Sequence, residues 1–218
     1  MKYAMHVRKI RADEGGLLRQ MRIAALTEAP YAFGSRLEDT QAQPLASFES
    51  AAAKHADSEV STTFFAFDGV NAVGLIGAFR ETSPPQRCFI CSLWLAPGYR
   101  GTAFASELVH TACAWLHQRF SEDIFAWVAD ANPRAMAFYR KSGFIPAGEC
   151  QPLPSTPSAS ETLLRLGNRR QARRADGCSG KSAEHIAHQA DKPQRTRVAH
   201  TIEHTVGILA CTQHTFVA

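Results

Sequence analysis

The chain has 218 residues, of which 45% are hydrophobic and 20% are charged. This is enough for one domain of ordinary size with a real core, or for one domain with an extension. The formal net charge is +4, but residues 1–166 hold equal numbers of basic and acidic side chains, so the whole excess lies in 167–218. A nucleic-acid-binding body is therefore disfavoured, because phosphate neutralisation needs a basic face on the folded part.

The sequence shows no segment that would direct it to a membrane or to secretion. The first residues lack the apolar run of a signal peptide, and no later run approaches the length needed to span a bilayer. We predict a soluble, cytoplasmic protein with reduced cysteines. Cys88 and Cys91 have the spacing of half a metal site, but on a strand this spacing places their side chains on opposite faces. No metal is predicted.

The first half of the chain passes from an opening strand and helix to a set of strands. A strand is predicted at 5–10, followed by a helix that runs from an N-cap at Asp13 through Leu26. Residues 31–53 are mixed and predict a helix-and-loop flap. An antiparallel meander is then predicted from strands at 61–67, 72–79 and 88–95, the first two joined by a turn at 68–71.

After the meander, strand and helix patterns alternate. The predicted elements are a helix at 101–120, a strand at 124–128, a helix at 134–141 and short strands at 144–145 and 162–166. A strand, helix and strand in succession predict a right-handed crossover with a parallel strand pair. Gly143 stands where a helix C-cap glycine belongs, and a Pro- and Ser-rich stretch at 152–160 separates the last two strands.

The core is predicted to end near residue 166. Residues 167–218 have no sustained periodicity and are predicted to form a basic, mostly disordered tail. Two histidine pairs in this tail, His185 with His188 and His200 with His204, have ligand-like spacing. A polar tail is favoured over a metal site there, because the region lacks a His-Glu-x-x-His motif and a convincing helix.

The stretch from Tyr99 to Ala105 carries the most chemical information. It follows the strand at 88–95 and the breaker Pro97-Gly98, and it opens a long amphipathic helix. A small-residue turn between a strand and a helix N-terminus aims free backbone N–H groups and a positive helix end at one point, which suits a phosphate. The nucleoside-triphosphate loop and the dinucleotide fingerprint are both absent, so nucleotide hydrolysis and hydride transfer lose their usual scaffolds.

Two linked motifs resemble those of the GNAT acetyltransferase superfamily. Residues 100–105, Arg-Gly-Thr-Ala-Phe-Ala, are similar to its cofactor motif, whose core pattern is Arg/Gln-x-x-Gly-x-Gly/Ala. Residues 132–144, Asn-Pro-Arg-Ala-Met-Ala-Phe-Tyr-Arg-Lys-Ser-Gly-Phe, resemble its Asn-x-x-Ala-x-x-x-Tyr-x-x-x-Gly-Phe segment. The resemblance covers roughly 5–166 and implies an α/β fold, in which helices flank a mixed, mostly antiparallel central sheet with a parallel strand pair at the cofactor site.

The resemblance also implies an activity. Residues 1–166 would form an N-acetyltransferase domain that moves acetyl from acetyl-coenzyme A to a primary amine, by direct transfer through a tetrahedral intermediate. The acceptor, a small molecule or a protein, is unidentified, and a homodimer is left open as the assembly. The alternative is a catalytically weak or inactive coenzyme A-binding regulatory module, which Ala103 and the lack of an identifiable base would permit.

The resemblance assigns roles to particular residues. The cofactor-binding residues it implies are Leu93, Trp94 and Leu95 for the pantetheine arm, Arg100, Gly101, Thr102, Ala103, Phe104 and Ala105 for the pyrophosphate, and Asn132. Tyr139 matches the tyrosine that protonates the departing thiolate, and the alternative for it is a core tyrosine. Asn132 would also serve as a helix N-cap before Pro133. Ala103 replaces the usual central glycine, which amide donation tolerates if the local φ is negative.

No general base can be named from the sequence, because the strand at 88–95 contains no carboxylate. The acids that remain are Glu28, Glu38, Asp39, Glu81 and Asp130. The first two flank residues 29–35, which are expected to line the acceptor side. Proton loss through a water relay is therefore favoured over a covalent intermediate on Cys91, which has no evident basic partner in the sequence.

Overall fold

The computed structural model describes residues 5–167. Within this range there are five α-helices and seven strands. The helices are α1 Gly15–Glu28, α2 Leu37–Ala42, α3 Leu45–Asp57, α4 Phe104–His117 and α5 Pro133–Lys141. The strands are β1 Met5–Lys9, β2 Ser61–Asp68, β3 Asn71–Arg80, β4 Cys88–Leu95, β5 Ile124–Ala129, β6 Phe144–Leu153 and β7 Thr156–Leu166. Short 3-10 helices lie at Pro30–Ala32 and Pro97–Tyr99.

The strands form one sheet in the order β1-β2-β3-β4-β5-β7-β6. Every neighbouring pair is antiparallel except β4 and β5, which are parallel because the chain crosses over through α4 between them. The predicted fold class is confirmed: a mixed, mostly antiparallel sheet flanked by helices, with one parallel pair.

Alternating side chains place a core on each face of the sheet. On one face α4 and α5 cover the strands, with Leu108 of α4 in the same buried cluster as Ile90 of β4. On the other face α1 and α3 pack on β2 and β3, where Leu26 joins Phe65. A smaller cluster around Trp127 continues that second face over β5 and β7. Full burial of each such side chain contributes about 1.5–3 kcal/mol, so both layers stabilise the sheet.

The long hairpin of β6 and β7 corrects the sequence prediction for 152–160. These residues are mostly in strands, and the ladder continues through Cys150 opposite Thr162 and Pro152 opposite Ser160. Proline is tolerated there because β6 is the edge strand, whose outward N–H groups need no partner.

Helix α1 begins one residue later than predicted. Its N-cap is Glu14 rather than Asp13, and Glu14 makes no capping bond to the helix. Its carboxylate instead accepts hydrogen bonds from the Arg8 guanidinium at 2.5 and 2.9 Å and from the backbone N–H of Arg11 at 2.9 Å. An ion pair with β1 therefore fixes the start of this helix.

Strands β4 and β5 separate soon after they meet. Only Cys88 with Ile124 and Phe89 with Phe125 are paired, although both strands continue further. A bulge at Ser92, whose φ is 54°, shifts the register of β4 against β3 by one residue and turns the rest of β4. The result is a wedge-shaped gap bordered by a free edge of β4.

Membrane-spanning helices, metal ligands and the C-terminal segment are features apart from the sheet. No helix in the described range is long and apolar enough to cross a membrane. Among the same residues, no group of three or more His, Cys, Asp and Glu side chains is placed to hold a metal ion. The predicted tail, with its histidine pairs, lies outside the described residues except for Gly167.

Candidate active site

A cavity of about 150 Å³ lies along the C-terminal half of β4, beyond the two positions at which β4 pairs with β5. We call it the wedge cavity. Seven of the ten residues assigned to the cofactor from the sequence line it: Leu93, Trp94 and Leu95 from β4, Arg100, Gly101 and Ala105 from the turn and the start of α4, and Asn132 from the start of α5. Two motifs that lie about 30 residues apart in the chain therefore meet at one opening.

The other three cofactor assignments do not line the cavity. Thr102 and Ala103 are exposed in the turn, and Phe104 is buried with its ring edge-on to Tyr99. The turn is closed by the Thr102 hydroxyl, which donates to the carbonyl of Tyr99 at 2.6 Å. These residues shape the approach to α4 rather than the cavity wall.

The turn needs glycine at Gly101 and not at Ala103. Gly101 has a φ of 78°, a region that side chains with a Cβ rarely adopt. Ala103 has a φ of −71° and a ψ of −13°, which any residue accepts. The φ of Ala103 is therefore negative, as amide donation from this position requires, and its methyl group imposes no backbone strain.

An ion pair spans the mouth of the wedge cavity. The Arg100 guanidinium binds the Glu28 carboxylate through both terminal nitrogens, one of them at 3.0 Å, and its Nε donates to the carbonyl of Leu95 at 3.1 Å. Trp94 Nε1 also donates to Glu28 at 3.2 Å. The hydrogen bond from Arg100 is the main reason that the pKa of Glu28 lies below its usual value. Glu28 is therefore a weak candidate for a base in this arrangement.

Helix α5 is held at both ends as the sequence predicted. Asn132 Oδ1 accepts a hydrogen bond from the N–H of Ala135 at 3.0 Å, with Pro133 at the first helical position. Gly143 follows the helix with a φ of 92°. These caps fix the rotation of the helix, so that Phe138 lines the wedge cavity while Tyr139 points into the core.

Tyr139 is fully buried and does not itself line the wedge cavity, although its neighbour Phe138 does. Its ring packs edge-on against Phe138 and Phe144, with centroids 5.6 and 5.2 Å away. Its hydroxyl has no hydrogen-bond partner among the described residues. Burial raises the pKa of this phenol well above its usual value, and the thiols of Cys91 and Cys113 are near enough to raise it further. The Tyr139 hydroxyl is therefore protonated and has no hydrogen-bond acceptor within residues 5–167.

The other predicted base candidates are spread over the molecule. Asp130 accepts hydrogen bonds from the hydroxyls of Ser160 and Thr162, and Glu81 accepts from Arg87. Asp39 lines a second cavity, described below, and Glu38 lies exposed on the same helix α2. None of these four carboxylates lines the wedge cavity.

Glu161, whose pKa is strongly raised, was not among the carboxylates singled out from the sequence. It is fully buried on β7, where Oε1 accepts from Gln151 at 2.6 Å and Oε2 has no partner in the described range. Burial raises its pKa to about 7, and the charge of Asp130 adds to the rise. A strand that included Glu161 would have placed it in register with the buried Leu163. The strand was predicted only from residue 162, because the preceding stretch is rich in Pro and Ser.

Replacing Glu161 with glutamine is expected to make the protein more stable above neutral pH. A carboxyl whose pKa rises from 4.5 to about 7 on folding binds more protons when folded. Its contribution to the free energy of unfolding therefore falls as pH rises from about 4.5 to about 7, and then stays constant. We expect Glu161→Gln to gain about 2 kcal/mol relative to wild type at about pH 8 and little at about pH 4.

Urea unfolding across this pH range measures the difference. Glu149→Gln is the matched control, because Glu149 lies on the neighbouring strand but is exposed. The control should follow the wild-type curve. Parallel curves for wild type and Glu161→Gln would show that this carboxyl titrates normally.

A second cavity, of about 280 Å³, lies on the face of the sheet that α1 and α3 cover. We call it the bulge cavity, because Cys91 and Ser92 at the β4 bulge form part of its wall. Residues 29–33 contribute to the wedge cavity and residues 34–36 to the bulge cavity, so one segment borders both. The tip of the β6–β7 hairpin holds this segment, since the Ser155 hydroxyl donates to the carbonyl of Phe33 at 2.6 Å.

Comparison with known proteins assigns the fold and the family. The model of the Acetyltransferase (GNAT) family matches residues 23–144. No curated protein matches the chain. An acetyltransferase of the GNAT family from Streptococcus pneumoniae has a TM-score of 0.63 and 17% identity, over 75% of this chain and 100% of that one.

Two further solved structures share the fold. Spermidine N-acetyltransferase from Vibrio cholerae, in complex with CoA and spermine, has a TM-score of 0.58 and 15% identity, covering 74% of this chain and 94% of that one. Arabidopsis thaliana Naa50, in complex with the bisubstrate analogue CoA-Ac-MVNAL, has a TM-score of 0.54 and 17% identity, covering 75% and 99%.

The sheet with its single parallel pair and the matched family model together define the class of an acyltransferase. The family match spans more than half of the chain, from α1 to the start of β6. The chain belongs to the GNAT acetyltransferase family.

Proposed function

We propose that the protein transfers acetyl from acetyl-coenzyme A directly to a primary amine, with Tyr139 as the acid that protonates the leaving thiolate. The observation that carries this proposal is the buried Tyr139 hydroxyl, which has no partner among the described residues. A buried polar group without a hydrogen bond costs free energy, so a site that retains one usually has a use for it. A thiolate formed above Tyr139 would supply the missing acceptor.

The wedge cavity suits the donor molecule. The free edge of β4 offers backbone groups for an extended amide-containing arm, which pairs with a strand edge as another strand would. The turn at Gly101 and the N-terminus of α4 favour the negative charge of a pyrophosphate. Arg134, which lines the cavity from the exposed side of α5, adds positive charge at the same mouth.

The proton balance of the transfer follows from these groups. A neutral amine forms the new C–N bond to the acetyl carbon, while the C–S bond breaks and its electron pair stays on sulfur. Tyr139 gives its proton to that sulfur and regains one from water, and the amine nitrogen loses a proton to water. Backbone N–H groups of β4 beyond its pairing with β5 would donate to the carbonyl oxygen as negative charge develops on it.

Thiol release in the presence of acetyl-coenzyme A and a panel of amines tests this function. The panel contains a polyamine, an aminoglycoside, free amino acids and a peptide with a free N-terminus, and binding of acetyl-coenzyme A is measured by calorimetry. Turnover with any of these amines supports the proposal. Tight binding of acetyl-coenzyme A with no turnover across the panel would overturn it in favour of a coenzyme A-binding regulatory module.

A further inference from the structure

The bulge cavity has the size of a small-molecule site. Its volume of about 280 Å³ lies just below the roughly 300–1,000 Å³ that pockets for drug-sized ligands usually occupy. The wall is mostly apolar, with Leu18, Phe48 and Leu75 among its side chains, and its polar side chains include Arg22 and His55. Such a space fits one amino-acid-sized molecule.

Arg22 brings a positive charge to the bulge itself. From α1 its Nη1 donates to the hydroxyl of Ser92 at 2.8 Å, and its Nη2 donates to the hydroxyl of Ser35 at 3.1 Å. Both of these partners are neutral hydroxyls, and the guanidinium itself forms part of the cavity wall. Ser92 lines the bulge cavity and the next residue, Leu93, lines the wedge cavity, so an anion on Arg22 would lie beside the part of β4 that borders both.

The charge of the cavity wall disfavours polycations. Its ionisable cationic and acidic residues are Arg22, Arg36 and Asp39, and His55 is neutral because burial lowers its pKa to about 4. The wall therefore has a net charge of +1 near neutral pH. A polyamine or an aminoglycoside would be repelled, whereas a ligand with a carboxylate would be attracted.

His55 supplies a second polar contact for a ligand. It is 8% exposed and lines the cavity, its Nδ1 is 2.9 Å from the hydroxyl of Thr63, and its buried Nε2 has no partner in the described range. A buried ring nitrogen in this state gains a hydrogen bond when a polar ligand enters.

We propose that the bulge cavity is the acceptor site and that it selects an α-amino acid, with the α-carboxylate on Arg22 and the α-amine directed at the β4 bulge. This inference rests on the proposed acetyl transfer. A single carbon separates the carboxylate from the amine in such a molecule, so a carboxylate on Arg22 places the amine near Ser92 and the wedge cavity. The side chain then lies towards the apolar wall, and the product is the N-acetylamino acid, formed with the proton balance given above.

The test compares amino acids with the amines that lack only the carboxylate: leucine with 3-methylbutylamine, and phenylalanine with phenethylamine. Loss of a charged hydrogen bond costs about ten- to hundredfold in affinity. We therefore expect Arg22→Gln to raise KM for leucine by about that factor, and to leave KM for 3-methylbutylamine and for acetyl-coenzyme A unchanged. Arg22→Lys should restore part of the affinity for leucine.

Arg19→Gln is the matched control, because Arg19 lies one turn earlier on α1 and donates to the backbone carbonyl of Gln41 outside the cavity wall. Thermal unfolding of each variant reports whether it folds. The control should leave both substrates unaffected. An equal rise in KM for leucine in Arg19→Gln and Arg22→Gln would overturn the role of Arg22.

The outcomes separate this inference from the function on which it rests. Turnover of simple amines or polyamines, with amino acids inert, overturns the amino-acid site and leaves the transferase standing. Absence of turnover with every amine overturns the transferase. In that case, calorimetric titration with leucine in the presence of coenzyme A still tests whether the bulge cavity binds an amino acid. Binding heat that is present in wild type and lost in Arg22→Gln supports the amino-acid site. Equal binding heat in both proteins, or no heat in wild type, overturns it.

Discussion

Replacing Tyr139 with phenylalanine is expected to lower kcat about 100-fold, the usual size of a general-acid contribution. The same change should leave thermal unfolding unchanged or slightly raise its midpoint, because the hydroxyl it removes is buried and has no partner among the described residues. The dissociation constant of acetyl-coenzyme A should not change, since Phe138 and not Tyr139 lines the wedge cavity. Thiol-release kinetics, calorimetry and thermal unfolding measure the three quantities.

Tyr99→Phe is the matched control for removal of a phenol hydroxyl. Tyr99 donates to the Asp68 carboxylate at 3.0 Å, so loss of this hydrogen bond should lower the free energy of unfolding and leave kcat unchanged. The two variants should therefore show opposite patterns. Full kcat in Tyr139→Phe would make this residue a core tyrosine, and the thiolate would need another proton donor.

Gly101→Ala is expected to weaken acetyl-coenzyme A binding by about 5- to 30-fold. The φ of 78° at this position costs a residue with a Cβ about 1–2 kcal/mol. The turn can relax in the free protein, and binding must then restore the strained conformation. Calorimetry gives the dissociation constant, and kcat at saturating acetyl-coenzyme A should stay near wild type, because the chemistry takes place at the other end of the cavity.

Ala103→Gly is the companion change and tests the departure from the family pattern. Ala103 already has a φ of −71°, so glycine there relieves no strain, and affinity should stay the same. A large gain in affinity from Ala103→Gly would show that the methyl group keeps the pyrophosphate away from the backbone. Equal losses in both variants would mean that general loosening of the turn, rather than the strain at Gly101, controls binding.

Local patterns were enough to predict most of the sheet and one wall of the site. The bounds of β4 were predicted without error, because its breakers and apolar run are local in the chain. The caps at Asn132 and Gly143 followed from residue types with a direct backbone effect. The order of the two motifs placed their residues at one opening, since a crossover brings the ends of parallel strands together.

Other features depended on contacts between distant parts of the chain. Arg22, Ser35 and Ser92 meet at the bulge although about 70 residues separate the first from the last, and no spacing rule predicts such a contact. The ion pair of Glu28 with Arg100 is equally remote, and it makes Glu28, a base candidate that the sequence had left open, a weak one.

The sequence by itself determined the class of fold, the family motifs and the turn that precedes α4, because each depends on short-range backbone preferences and apolar spacing. Only the tertiary structure decided the charge of the bulge cavity, the isolation of the Tyr139 hydroxyl and the raised pKa of Glu161. Those properties depend on desolvation and on which groups lie nearby in space, and both are set when the strands part and the helices pack over them.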